Sequence, residues 1–256
     1  MSKPSMRKPL RVTLGHVVFI VALVALWEFL GARGVIDPTF AGRPSGIVSY
    51  LWRGFITDRN LWNDLSYTIA AAAIAFVGGS LTAILAGLLF TMLPGLHRAC
   101  EPYLSLLNAM PRIALVPLFL LWFGLGIGSK IAVAISLTFF IVLAATVAGI
   151  RGVNSDHLVL SRALGASPGQ IFFKVTLPSA VPVIFSGLRL GLVYALLGVV
   201  GAELIAAEHG LGQVLAYLQS TFDMDGVMAL LLLLALLGLS ITVAMNWLEK
   251  KLLVWQ

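Results

Sequence analysis

The chain has 256 residues, 59% of them hydrophobic and 11% charged, where an ordinary soluble domain carries about 45–50% and about 25%. With a mean hydropathy of +0.99, this composition excludes a soluble protein with a large core. The net charge of +6 raises the question of nucleic acid, but the basic residues lie between long apolar runs and form no basic face, so a nucleic-acid partner is not expected.

A helix that crosses a bilayer needs about 20 mostly apolar residues, and six stretches qualify: 12–31, 66–91, 103–123, 131–150, 181–205 and 227–248. The first follows Lys3, Arg7, Lys8 and Arg11; it reads as a retained span or as a secretory signal. The second carries Ala71, Ala75, Gly79, Ala83 and Gly87 at four-residue spacing, a stripe of small residues that lets two backbones approach closely. Pro94, Pro102, Pro111 and Pro117 cluster around the third. Pro111 and Pro117 would break its hydrogen-bond ladder, giving a bent helix that lines a cavity or a plain kink. GLGIGSK, Gly124 to Lys130, reads as a tight outer turn before the fourth span. Gly187, Gly191 and Ala195 repeat the small-residue stripe in the fifth, whereas Leu230 to Leu234 in the last is bulky all round and suits lipid.

Lys and Arg accumulate on the cytoplasmic side of membrane proteins. With the N-terminus inside, the inner segments hold ten basic residues (Lys3, Arg7, Lys8, Arg11, Arg98, Arg151, Arg162, Lys174, Lys250, Lys251) against three acidic ones (Glu101, Asp156, Glu249), or +7. The outer segments hold five (Arg33, Arg43, Arg53, Arg59, Lys130) against six (Asp37, Asp58, Asp64, Glu208, Asp223, Asp225), or −1. Both termini are therefore expected in the cytoplasm. Glu28, Arg112, Arg189 and Glu203 remain within the spans. Intramembrane charges are costly and default to functional hypotheses. Arg112 and Arg189 either line the path, where they would suit an anion, or snorkel to the inner headgroups or bind backbone carbonyls. Glu203, near the outer end of its span, is a structural pair or cap, or a stabiliser of the outer gate region.

Motifs for chemistry are sparse. No Gly-Lys dipeptide occurs, so a phosphate-binding loop is absent and no nucleotide is expected on this chain. The histidines, at 16, 97, 157 and 209, lack zinc-site spacing, and the single Cys100 excludes an internal disulfide and a cysteine-based metal cluster. No catalytic residue and no metal ligand is singled out. The inner loop 151–180 is the informative segment. Asn154, Ser155 and Asp156 offer N-caps for a helix through Leu164, and Gly165 fits the left-handed stop after it. Ser167 caps a second helix with Pro168 first and Gln170 completing a capping box, before Pro178 and Pro182 lead into the fifth span. By itself this is an amphipathic hairpin on the membrane surface or a docking element for a cytoplasmic partner.

The segment LVLSRALGASPGQIFFKVTLPSAVPVIFSGLRLGL resembles the EAA loop of permease subunits of bacterial ABC importers of the type I fold. Gly165 matches the family glycine, Val175 stands for its isoleucine, and Leu177 and Pro178 match its Leu-Pro ending, while Val159, Leu160 and Ser161 fill the E-A-A positions without the acidic residue. Met110 to Lys130, Ala202 to Val227 and the terminal WLEKKLLVW are similar to the nitrate/sulfonate/taurine branch. The resemblance implies one all-α transmembrane permease domain over 1–256, six helices and a cytoplasmic coupling loop at 151–180, in a bacterial inner membrane. It further implies a second permease copy, two cytoplasmic ATPase subunits that hold ATP and Mg, and a periplasmic or lipid-anchored solute-binding protein. The ATPase-coupling residues it points to are Asp156, Leu160, Arg162, Ala163, Leu164, Gly165, Ala166, Phe172 and Pro178, and the path residues are Arg112, Pro117, Arg189 and Glu203. A stand-alone secondary transporter or channel is the alternative, and four charges spread over four spans support it thinly.

Overall fold

The computed structural model describes the backbone of residues 7–252 and the side chains of residues 15–252. Lys3 and Trp255 lie outside the described residues, as do the side chains of Arg7, Lys8 and Arg11. In chain order the helices are α1 (Arg7–Ala32), α2 (Pro38–Ala41), α3 (Pro44–Trp52), α4 (Leu61–Met92), α5 (Pro94–Ala109), α6 (Val116–Phe123), α7 (Ile127–Arg151), α8 (Ser155–Ala163), α9 (Pro168–Ile171), α10 (Leu177–Ile205), α11 (Leu211–Ser220) and α12 (Met224–Leu252). Arg53–Thr57 and Phe172–Thr176 are π-helical turns, and Arg112–Leu115 is a 3₁₀ turn. Among the described residues five helices are long and apolar enough to cross a membrane, six if α5 and the Arg112–Phe123 segment count as one broken span.

Two of the expected spans change shape. The third is no single helix over 103–123: α5 and the segment after it meet at 86°. Met110 adopts an extended ψ of 134° immediately before Pro111, as the clash with a following proline ring requires. Pro117 breaks nothing, because it lies in the first turn of α6, where an N–H has no acceptor to lose. The fifth span does not begin at 181 after a separate loop helix but runs without interruption from Pro168 to Ile205. Pro178 in α geometry would drive its ring against the carbonyl of Lys174, and the π turn Phe172–Thr176 widens the helix at that point.

The chain divides into two compact units, Met1–Trp62 with Leu215–Leu234, and Asn63–Val214 with Ala235–Gln256. Within the first, Asp37 caps α2 by accepting the Thr39 N–H at 2.9 Å, which holds its carboxyl below the ordinary value. Glu28 accepts from both N–H (3.0 Å) and Oγ (2.9 Å) of Ser45 at the start of α3. Asp225 accepts from Arg43 N–H at 2.6 Å and fills the space that a Cβ on Gly46 would need. Leu230 is fully buried, so that part of α12 is not the uniformly lipid-facing surface its bulk suggests.

The second unit is built on α7. The α4 stripe faces it: Ala71, Ala75 and Ala83 have no exposed surface, and a Cβ on Gly79 would come within 3.0 Å of Thr138 Cβ. The α10 stripe faces it too, since a Cβ on Gly187 would collide with Ala145 and one on Gly191 would come within 2.8 Å of Val142. Thr138 Oγ1 donates to the Gly191 carbonyl at 3.3 Å. Backbones thus approach closely where lipid provides no hydrophobic drive, and van der Waals contact takes its place. Ala71, Ala75, Ala134, Leu196 and Val199 form one buried cluster at this junction.

Candidate coupling loop and translocation path

The loop between α7 and α10 is pre-ordered by its own caps. Asn154 accepts the Asp156 N–H at 2.9 Å to start α8. At the other end Gly165, at φ 79°, donates to the Arg162 carbonyl at 2.9 Å while Ala166 N–H reaches the Ser161 carbonyl at 3.0 Å. Those two bonds are a Schellman motif, and the left-handed residue in it is a glycine because a Cβ is strained there. Ser167 and Gln170 exchange both bonds of the capping box, at 2.8 and 3.3 Å. The spacing of these residues in the sequence predicted each cap.

With the backbone satisfied internally, apolar side chains remain outside. Leu160 is 61% and Leu164 78% exposed, and Asp156, Arg162, Ala163 and Gly165 are also exposed, while Ala166, Phe172 and Pro178 are half-buried. Val159, at the first E-A-A position, and Phe173 extend the same apolar exposure, and neither is among the expected coupling residues. Behind the loop lies a cavity of about 440 Å³ bounded by Leu158, Arg162, Ala166, Ile171, Phe172 and Ile150, among others. A self-capped, greasy element of this kind is suited to a protein partner or to the membrane surface rather than to solvent.

Arg112 is 9% exposed and stands at the broken span. Its guanidinium donates to the carbonyls of Leu107 (2.6 Å), Ser136 (2.8 Å) and Met110 (3.3 Å), approaches Asn108 Oδ1 at 3.4 Å, and lies 4.1 Å over the Phe140 ring. Leu107 and Met110 are in the last turn of α5 or just past it, where carbonyls have no helical partner. Arg112 therefore takes up the orphan acceptors at the break and ties them to α7. The carbonyl pairing that one reading of this residue expected is present. Arg189 of α10 forms an ion pair with Glu249 of α12, so its charge is compensated within the chain.

Glu203 heads the most densely bonded site. Its carboxylate accepts from Lys130 Nζ at 3.2 Å and from the Gly212 N–H at 3.0 Å, and it receives the Thr68 hydroxyl at 3.0 Å. Lys130 also donates to the His209 carbonyl. Thr68 Oγ1 accepts the Leu211 N–H at 2.9 Å, and Asp64 accepts the Gly210 N–H at 2.9 Å. The first turn of α11 thus has three consecutive N–H groups capped by side chains from α4 and α10. A Cβ on Gly210 would collide with the Glu203 carboxylate. Lys130 is 2% exposed; it is not a residue of an outer turn, because α7 begins at Ile127 and encloses it. The tight turn is confined to residues 124–126, with Gly124 at φ 75°. Lys130 and Asp64 were expected only as charges of the outer segments and Thr68 not at all; the available signal was that Lys130 adjoins an apolar run that holds no counter-charge of its own.

The family model described as "Binding-protein-dependent transport system inner membrane component" matches residues 79–254. The chain belongs to this family. It is accordingly a multi-pass inner-membrane permease subunit of an ABC importer, as the resemblance implied. The formylaminopyrimidine transport permease protein ThiX of Halalkalibacterium halodurans is 32% identical over 248 residues, 95% of this chain and 96% of that one. The taurine transport system permease protein TauC of Escherichia coli is 29% identical over 241 residues, 92% and 87% of the two chains. A structure of the MetNI methionine ABC transporter superposes with a TM-score of 0.61 at 21% identity, covering 77% of this chain and 96% of that one. The shared fold is the type I importer permease fold.

Proposed function

We propose that this permease works as a homodimer with its termini in the cytoplasm, carrying two ATPase subunits on the loops 151–180 and receiving a small anion, of the nitrate, sulfonate or taurine kind, from a separate solute-binding protein. The observation that carries the reading is the exposed apolar surface around Leu160 and Leu164 on a loop whose backbone needs no partner. ATP and Mg belong to the ATPase subunits, because this chain has no phosphate-binding loop. ATP can shift the permease only by binding one of its two states better than the other, and the loop is the element through which that preference reaches the membrane.

The assignment to a sulfonate-bearing solute is supported by the taurine permease among the relatives, taurine being an aminosulfonate. It draws no support from Arg112, whose guanidinium is held by carbonyls, nor from the charge of Arg189, which Glu249 compensates although the buried Arg189 Nε has no partner. Selection is therefore assigned to the binding protein. Two measurements test the proposal. The chain is co-expressed with its ATPase, and Leu160→Ser with Leu164→Ser is expected to abolish co-purification while leaving membrane insertion intact. The cognate binding protein is screened with nitrate, taurine, alkanesulfonates and neutral pyrimidines; capture of a neutral heteroaromatic alone refutes the anion, and ion-driven flux by the chain alone in liposomes refutes the ATP-driven reading.

A further inference from the structure

The two helices that enter and leave the coupling loop are joined again at their far ends. α7 starts three residues before Lys130 and runs to Arg151, where the loop begins. The helical run that leaves the loop spans 38 residues from Pro168 to Ile205, about 57 Å at 1.5 Å per residue, and Glu203 is its antepenultimate residue. Lys130 and Glu203 meet at 3.2 Å with side chains 2% and 0% exposed. Between these ends the stripe Gly187, Gly191 and Gly198 keeps the helices in backbone contact. The result is a long hairpin, with the coupling loop at its bend and an ion pair across its tips.

We infer that the Lys130–Glu203 pair, with Thr68, is the positioning device that carries motion of the coupling loop to the segment His209–Gly212 on the opposite side of the membrane. The pair is not merely internal to the hairpin, because each partner uses its remaining valence on that segment: Lys130 holds the His209 carbonyl, and Glu203 the Gly212 N–H. Thr68 holds Leu211 between them and bonds Glu203 at the same time. A carboxylate at the first turn of α11 is favoured by the helix dipole, and the Cβ-free Gly210 and Gly212 admit it. A buried pair of this kind tolerates loss of neither member, since the survivor is left charged and unpaired. The segment is thereby fixed to the tips of the hairpin and must move with them. This rests on the loop being the site where the ATPase acts.

The test uses the assembled transporter of permease, ATPase subunits and binding protein, with the permease as the only labelled chain. Cys100→Ser removes the one native thiol, and Glu208→Cys, at an exposed position beside the segment, carries a nitroxide. ATP with vanadate is expected to change the spectrum in the otherwise unaltered chain. Lys130→Met, Glu203→Gln and Thr68→Val are each expected to lose that change while the ATPase still binds ATP, and Thr68→Ser is expected to keep it. Thr68→Val guards against simple misfolding, as it is isosteric and leaves both charges in place. Retention of the change in Thr68→Val, or in either charge variant that still assembles, overturns the inference, and so does its absence in the parent with ATPase bound. Failure of the parent to bind any ATPase overturns instead the reading on which the inference rests.

Discussion

Arg112→Met separates a carbonyl-binding arginine from a substrate-binding one. The variant removes the short bonds to Leu107 and Ser136, at 2.6 and 2.8 Å, and the contact over Phe140 at 4.1 Å. Hydrogen bonds from a charged donor contribute about 1.5–3 kcal/mol each and a cation over a ring about 0.5–2 kcal/mol. Against this stands the cost of keeping an arginine in the span, about 2.5–3.5 kcal/mol, which methionine does not incur. The balance is a destabilisation centred near about 3 kcal/mol, within about 0–5.5 kcal/mol, or a midpoint lower by about 6–12 °C at that centre for a chain of this size. It is measured by heating the solubilised permease and following the monodisperse fraction by size exclusion. Arg112→Lys should fall between the two, because an ammonium keeps the charge but lacks the planar fork that reaches both carbonyls. An unchanged midpoint in Arg112→Met combined with lost uptake would refute the staple and return Arg112 to the path.

Three further outcomes are expected. Gly165→Val places a β-branched residue at φ 79° at a cost of about 1–3 kcal/mol, and should abolish ATPase co-purification without preventing insertion, whereas Gly165→Asn should co-purify, since nothing lies within 4 Å of the new Cβ and asparagine tolerates the left-handed region. Ser167→Ala removes one arm of the capping box and should raise amide exchange over residues 169–171, corresponding to about 1 kcal/mol, with the spans unaffected. Gly191→Ala puts a methyl 2.8 Å from Val142 Cγ2, an overpacking cost of about 1–3 kcal/mol that should lower the thermal midpoint of the permease without altering its ATPase affinity.

What the sequence disclosed and what it withheld divide along the range of the interactions. The caps around Gly165 and Ser167 were legible because both members of each bond lie within five residues. The small-residue stripes were legible because helical spacing puts them on one face whatever they meet. The break at Pro111 was visible, but its 86° angle was not, since the bend is held by a carbonyl of Ser136, 24 residues away. Pro117 was misassigned for a related reason. Whether a proline breaks a helix depends on where that helix starts, and here Pro111 had already restarted it. Lys130 was assigned to a turn because charge marks a span boundary when windows are read alone; its counter-charge is 73 residues further on, beyond any local pattern.

The intramembrane charges fasten helices at different levels, and Arg189 offers the sharpest case. It joins α10 to Glu249 near the end of α12, with side chains 33% and 23% exposed. An exposed pair contributes about 0–1 kcal/mol and breaking a fully buried one costs about 3–5 kcal/mol, so Arg189→Glu, which also sets two carboxylates against each other, should cost about 1–3 kcal/mol. The double exchange Arg189→Glu with Glu249→Arg restores the attraction with reversed polarity. If fastening is the role, the double variant recovers the thermal midpoint and transport together, while each single variant loses both. If Arg189 instead draws an anion along the path, the double variant recovers the midpoint but not transport, because the cation has moved to another helix. The cycle distinguishes the two through the coupling between the mutations rather than through the size of either loss.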